Sequence, residues 1–175
     1  EAAGGAFEAA VFWDANPAYA YPDPRAWEAA VAGIPFRVHL GLHDDETAKA
    51  CQVVLPTHHW LEAWGDYEPS ADLLSLQQPT VGAIHGTRQA EDLILEAIRA
   101  LGPAPHDYLT YLKARWEKEV HVAGPVPFER FWTAALHDGV LRREAKPLPP
   151  REIRGEAVAE ATVKECIRLG MAKIN

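Results

Sequence analysis

The stretch IPFRVHLGLHDDETAKACQVVLP, residues 34–56, decides the fold. Its first part, IPFRVHLGL (34–42), is a continuous run rich in strand formers. Continuity rather than alternation predicts a strand buried on both faces. DDETAKA (44–50) carries its acids at the front, where they would face the positive end of a short helix. QVVLP (52–56) is a second apolar run, ended by Pro56. Two such runs around a short helix make a βαβ unit, whose strands run parallel.

Outward from this core the pattern continues. Upstream, AAVFWDAN (9–16) predicts another buried strand that stops at Asn16-Pro17, because the residue before proline is pushed out of helical geometry. PDPRAWEAAVAG (22–33) then predicts a helix, with Pro24 in its first turn and Gly33 at its stop. Strand, helix, strand, helix, strand with short connections predicts an α/β fold, a doubly wound, mostly parallel, Rossmann-like sheet. Downstream, DLLSLQQPTV (72–81) is a weaker extended segment. TRQAEDLILEAIRALG (87–102) is the clearest helix, with Leu93, Ile94, Ala97, Ile98 and Leu101 on one face. Two amphipathic helices follow, HDYLTYLKARWEKEV (106–120) and PFERFWTAALHDG (127–139), then the proline-rich KPLPPRE (146–152) and a tail read as a helix with a strand after it. The expected organisation is an α/β cradle over 1–102, a helical extension over 103–145, and a linker and tail over 146–175.

Bulk composition narrows the function classes. With 48% hydrophobic residues in 175, the chain can bury a real core. A net charge of −8 with scattered Lys and Arg argues against a nucleic-acid partner or a polybasic membrane patch. No apolar run reaches the roughly 20 residues of a membrane helix, so no direct span is expected. EAAGGAF at the start lacks the basic-then-apolar order of a signal peptide, and none is expected there. Cys51 and Cys166 cannot form a CxxC cluster site and are expected as two buried free thiols.

The densest local chemistry lies in CQVVLPTHHWLEAWGDYEP (51–69). His58, His59, Glu62 and Asp66 offer ligands for a stand-alone metal-dependent hydrolase. However, adjacent histidines on a helix diverge by about 100° and match no zinc motif. Trp60 and Trp64, four apart, are expected to pack as a pair. GAIHGT (82–87) is no GxGxxG phosphate loop, and there is no GxSxG elbow.

The order of features says more. NPAYAYPD (16–23), a helix, a strand, DDETAKACQVVLP (44–56), WLEAWGD (60–66) and GTRQAEDLILEAI (86–98) together resemble the molybdopterin oxidoreductase family, over residues 10–102. The resemblance implies an α/β domain that in this family holds one molybdopterin guanine dinucleotide. The positions it carries over are Asn16 and Pro17 in the strand-end loop, Gly41 at the end of the second strand, Thr47, Glu62 and Glu91. HWLEAWGD (59–66), SLQQP (75–79) and FERFWTAALHDGV (128–140) are similar to one branch, the large iron–sulfur subunit of alternative complex III, which lacks the molybdenum cofactor. That likeness implies electron transfer from quinol through iron–sulfur clusters elsewhere in a longer protein. It also implies partners among that protein's other domains and the respiratory subunits, and a membrane-associated place on the periplasmic side. Composition alone leaves the compartment open.

The family pattern fails at two points. Where cofactor-binding members put an aspartate after the second strand, this chain has Leu40 and Gly41, and the family's phosphate-side lysine becomes Ala63. Each charged hydrogen bond to a buried ligand is worth about 1.5–3 kcal/mol, so two losses cost on the order of a hundredfold in affinity. The residues themselves leave two uses open. Asn16 either bonds a guanosine or closes a turn, and the acid of the last helix, Glu91 or Asp92, either meets a ligand or sits on an exposed helix face. The expectation is a segment with no cofactor of its own and no activity alone. The rival is a segment of an active molybdoenzyme supplying half of a guanine dinucleotide site. In the tail, KECIRLGMAKIN (164–175) resembles a short run of class II fructose-bisphosphate aldolases. Nothing upstream supplies that family's zinc histidines, and a chance helix and strand is the better reading.

Overall fold

The computed structural model describes residues 7–122 and 124–144, with Glu160 and Lys164 beyond them. The chain divides into two compact units, Glu1–Arg143 and Glu144–Asn175. In the second, Glu160 and Lys164 are helical and form an i, i+4 ion pair at 2.6 Å. The proline-rich linker, Cys166 and the aldolase-like run lie outside the described residues.

The first unit begins with three parallel strands in the order β1 (Ala9–Trp13), β2 (Phe36–Gly41), β3 (Val53–Pro56). The connecting helices start where side chains cap them. Asn16 caps α1 (Pro17–Ala20), Asp23 caps α2 (Pro24–Ala32) and Asp45 caps α3 (Glu46–Lys49). Each cap accepts a backbone N–H that the first helical turn leaves unpaired. Both crossovers run the same way across the sheet, so right-handed connection puts α2 and α3 on one face. Arg37 of β2 ties the two together, donating to the carbonyls of Val31 at 3.2 Å and Ala50 at 2.7 Å. Mixed α/β with a parallel sheet is thus what the chain forms.

The expectation of strands buried on both faces holds at the end of β2, where His39, Leu40 and Gly41 are all buried, and is corrected for β1 and the start of β2. Val11 is 60% exposed, and Trp13 and Phe36 are nearly half exposed. β1 is an edge strand, and helices α2 and α3 cover only the opposite face of the sheet. Beyond β3, Arg88 makes a single parallel bridge to Thr57, and α4 (Ala90–Arg99) follows it.

A second sheet is new. β4 (Gly65–Ser70), β5 (Leu73–Gln77) and β6 (Val140–Arg142) pair antiparallel in that order. Helices α5 (Tyr108–Glu119) and α6 (Phe128–Asp138) cover it, and Gly139 ends α6 with φ 69. Leu74, Leu112, Trp116, Trp132 and Ala135 form its core, with the Trp116 and Trp132 rings edge to face at 5.8 Å. Trp64 packs against this cluster while Trp60 is 61% exposed, so the anticipated Trp60–Trp64 pair does not form. The cause is local: Trp60–Glu62 is a single 3₁₀ turn and β4 begins at Gly65, so positions four apart no longer share a face.

Candidate functional site

Ligands of open parallel sheets bind beyond the carboxyl ends of the strands. Here Gly41 and Pro56 are register partners at the ends of β2 and β3, and Asn16 follows the end of β1. Three cavities open along this rim, and Leu42 lines all of them. One of about 390 Å³ is walled by Asp14, Asn16, His39, Gly41, His43 and Asp45. A second of about 500 Å³ lies between Thr57, Leu61, Glu62, Val81 and Ile84. The third, about 260 Å³, is walled by Trp13, Asp14, Trp60, Trp64 and Glu91.

Asn16 is engaged within the protein. Its amide oxygen accepts the Thr47 hydroxyl at 2.8 Å and the Tyr19 N–H at 3.4 Å, and its amide nitrogen donates to Glu46 at 2.8 Å. The last bond is the main reason the Glu46 carboxyl lies below its ordinary range. Thr47, fully buried, also accepts the Ala18 N–H at 3.1 Å. Asn16 and Thr47 therefore knit α1 to α3, and Pro17 opens α1; Thr47 and Pro17 stand outside the three cavity walls.

Glu62 is likewise occupied. One carboxylate oxygen accepts the Ile84 N–H at 2.8 Å and the other the His59 N–H at 3.0 Å, which together hold its pKa below the usual value. His59 returns the contact through Nδ1, which accepts the Leu61 N–H at 3.3 Å and completes a capping box. Glu91 sits in the first turn of α4 on the wall of the smallest cavity. Its neighbour Asp92 accepts the Tyr108 N–H at 2.7 Å and joins α4 to α5. The structure thus places Asn16 and Gly41 on one cavity, Glu62 on a second and Glu91 on a third.

Several rim residues escaped sequence reasoning. His39 is 1% exposed, and among the described residues neither ring nitrogen has a hydrogen-bond partner; an acid oxygen of Asp45 is 3.6 Å away. Gly41 stands directly over it, since a Cβ there would fall 2.5 Å from the imidazole. The Thr57 hydroxyl is also buried and unpaired. Asp14 adopts φ 45, a left-handed conformation that Asp tolerates better than most residues, and it lines two of the cavities. The available signal was a histidine inside an otherwise apolar strand, VHLG, where a buried polar group asks for a partner.

Among the described residues, Asp14, Asp45, Glu62 and Glu91 stand on the three cavity walls together with five histidines, and no Lys or Arg does. A pyrophosphate needs cations or a helix N-terminus aimed at it. With Asn16 engaged and four carboxylates present, the described walls offer a phosphate the starts of α3 and α4, at Asp45 and Ala90, but no Lys or Arg.

The four residues of the hydrolase alternative do not converge. Asp66, on β4, pairs with Arg115 and accepts the Trp116 indole N–H at 2.8 Å. His58 Nδ1 is 2.8 Å from the Thr87 hydroxyl. Among the described residues, no group of three His, Cys, Asp or Glu side chains is placed to hold a metal ion.

Comparison with known proteins fits the resemblance seen in the sequence. Over 99 residues the chain is 31% identical to the menaquinone reductase, molybdopterin-binding-like subunit, of Nitratidesulfovibrio vulgaris (strain Hildenborough). The match takes in 54% of this chain and 14% of that protein, so the chain spans only a small part of its relative's length. No protein-family model matches the chain. Likeness to a subunit so named supports a relation to the molybdopterin oxidoreductases, and among the described residues no helix is long and apolar enough to cross a membrane.

Proposed function

We propose that this chain is a segment of a molybdopterin-oxidoreductase-like respiratory electron-transfer subunit that keeps the shape of the dinucleotide cradle without holding a pterin dinucleotide. Residues 1–102 supply the cradle, and 103–145 supply the helices that cover the second sheet. The fold is the start of a doubly wound, Rossmann-like sheet, with the Arg88 bridge and α4 beginning the next winding. The observation that carries the reading is the rim: among the described residues, four carboxylates stand on its walls and no Lys or Arg does. In this reading iron–sulfur clusters reside elsewhere in the longer protein, as in the branch typified by alternative complex III. The segment then packs against other domains and subunits on the periplasmic side of a membrane and catalyses nothing alone.

The rival reading, half of a molybdopterin guanine dinucleotide site, has one observation in its favour. His39 is buried with both nitrogens unpaired beside a cavity, a state that bound ligand atoms would relieve. One experiment separates the two. Acid oxidation of the full-length protein releases fluorescent pterin if the dinucleotide is present. We expect no pterin fluorescence, with iron in the same preparation; stoichiometric pterin would overturn the proposal and favour the rival.

A further inference from the structure

We propose that the cavity of about 260 Å³ at the end of β1 is a cage for an alkylammonium cation, a use of the rim that shares its acidic wall with the functional reading above. Three tryptophans line it: Trp13 from β1, and Trp60 and Trp64 from the loop after β3. Asp14 and Glu91 line the same cavity, and among the described residues no Lys or Arg does. Aromatic faces carry negative charge density and attract cations, most strongly for Trp, and alkylated ammonium ions are the ligands such boxes take. Carboxylates beside the rings reinforce that preference and oppose a phosphate or carboxylate ligand.

The cage is built rather than incidental. Gln77 donates to the carbonyls of Trp60 at 2.7 Å and Ala63 at 3.1 Å. Gln89 accepts from the Trp64 N–H at 3.0 Å and donates to its carbonyl at 2.9 Å. Two side-chain amides therefore fix the backbone that carries two of the three indoles, and a preformed site binds with less ordering cost. Trp60 is 61% exposed, and His58, which also lines the cavity, has its Nδ1 2.8 Å from the Thr87 hydroxyl.

The test uses choline chloride as the probe and its neutral isostere, 3,3-dimethylbutan-1-ol, as the control. Binding is followed by indole fluorescence and calorimetry. We expect saturable choline binding and about tenfold or weaker binding of the alcohol, since only the charge differs. Trp60→Leu, at an exposed position, should weaken choline about tenfold without unfolding the chain, and Trp60→Phe should restore part of the loss. Glu91→Gln should weaken it severalfold and flatten its salt dependence. Co-sedimentation with phosphatidylcholine vesicles would assign the cation to a lipid headgroup, and choline binding without it to a soluble amine; either supports the cage. Equal binding of choline and the alcohol, or choline binding unchanged in Trp60→Leu, overturns it.

Discussion

Replacing Gln89 by leucine tests whether the loop carrying Trp64 is held by the start of α4. Gln89 is 5% exposed, and its amide makes two bonds to one residue: Oε1 accepts the Trp64 N–H at 3.0 Å and Nε2 donates to the Trp64 carbonyl at 2.9 Å. Leucine fills similar space and makes neither bond. A buried backbone group left without a partner costs about 1–3 kcal/mol. Trp64 is only part-buried, so water recovers some of each loss, and the pair should cost roughly 2–3 kcal/mol. Urea unfolding followed by Trp fluorescence gives that number, and hydrogen exchange at the Trp64 amide localises it. A loss below about 0.5 kcal/mol at unchanged m-value would refute the reasoning, because surface substitutions routinely fall within that range. Gln89→Glu sharpens the test. Its carboxylate still accepts from the Trp64 N–H but needs a proton to donate to the carbonyl. The folded pKa of that glutamate should therefore be raised. The native-like stability is then full below its unfolded value, about 4.3, and lost as pH rises through the folded value. Relative to the natural chain, the variant should be closer to it at pH 4 than at pH 7.

Three further outcomes follow from particular contacts. Gly41→Ala puts a methyl 2.5 Å from a His39 ring that is 1% exposed, so overpacking should cost about 1–3 kcal/mol; an unchanged Tm would show that the ring yields. Asp66→Ala strands the indole N–H of fully buried Trp116 and should cost about 1–3 kcal/mol, whereas Lys113→Ala, which breaks an ion pair with a Glu129 that is 74% exposed, should cost under about 1 kcal/mol; the reverse order in urea unfolding would contradict the packing described. Glu62 is more acidic folded than its ordinary value of 4.5, so its stabilisation is full above that value and disappears as pH falls through the lower folded one; Glu62→Gln should flatten the acid limb of the stability profile, and an unaltered limb would remove Glu62 from that role.

How much of this was legible in the sequence depended on whether the signal was local. The β1–β3 core was readable because each strand is an apolar run with its own stop, Asn16-Pro17, Gly41 or Pro56, and because Asp23 and Asp45 cap helices from within the chain's own turns. The rim was readable for the same reason, since parallel strands fix where the loops gather. The second sheet was not. β4 reads GDYEPS, with no period of two and a proline at Pro69, tolerated because the strand lies at the sheet edge; β6 is three residues long. Both become strands only by packing beside Leu74 and the Trp116–Trp132 pair, a contact across more than sixty positions that no window along the chain contains. His39 and Asp14 were missed because their importance lies in what surrounds them, not in what they are.

The same distinction bears on why the rim is acidic. Cations are not scarce nearby; they are directed elsewhere. Arg37 bonds carbonyls behind the sheet, Arg115 pairs with Asp66, and Arg88, whose backbone bridges Thr57 at the rim, turns to Glu96 at 2.7 Å. The Arg88–Glu96 pair is more than half exposed on both sides, and such pairs are worth at most about 1 kcal/mol. A phosphate at the rim could therefore recruit Arg88 at little cost if the rim otherwise welcomed one. Asp14, Asp45, Glu62 and Glu91 are what oppose it, and Glu62 is held in place by two backbone N–H groups that also shape the loop. In the proposed reading, exclusion of an anion is thus tied to the fold of the 57–87 loop through Glu62, and admitting a phosphate would take removal of carboxylates rather than a single added lysine.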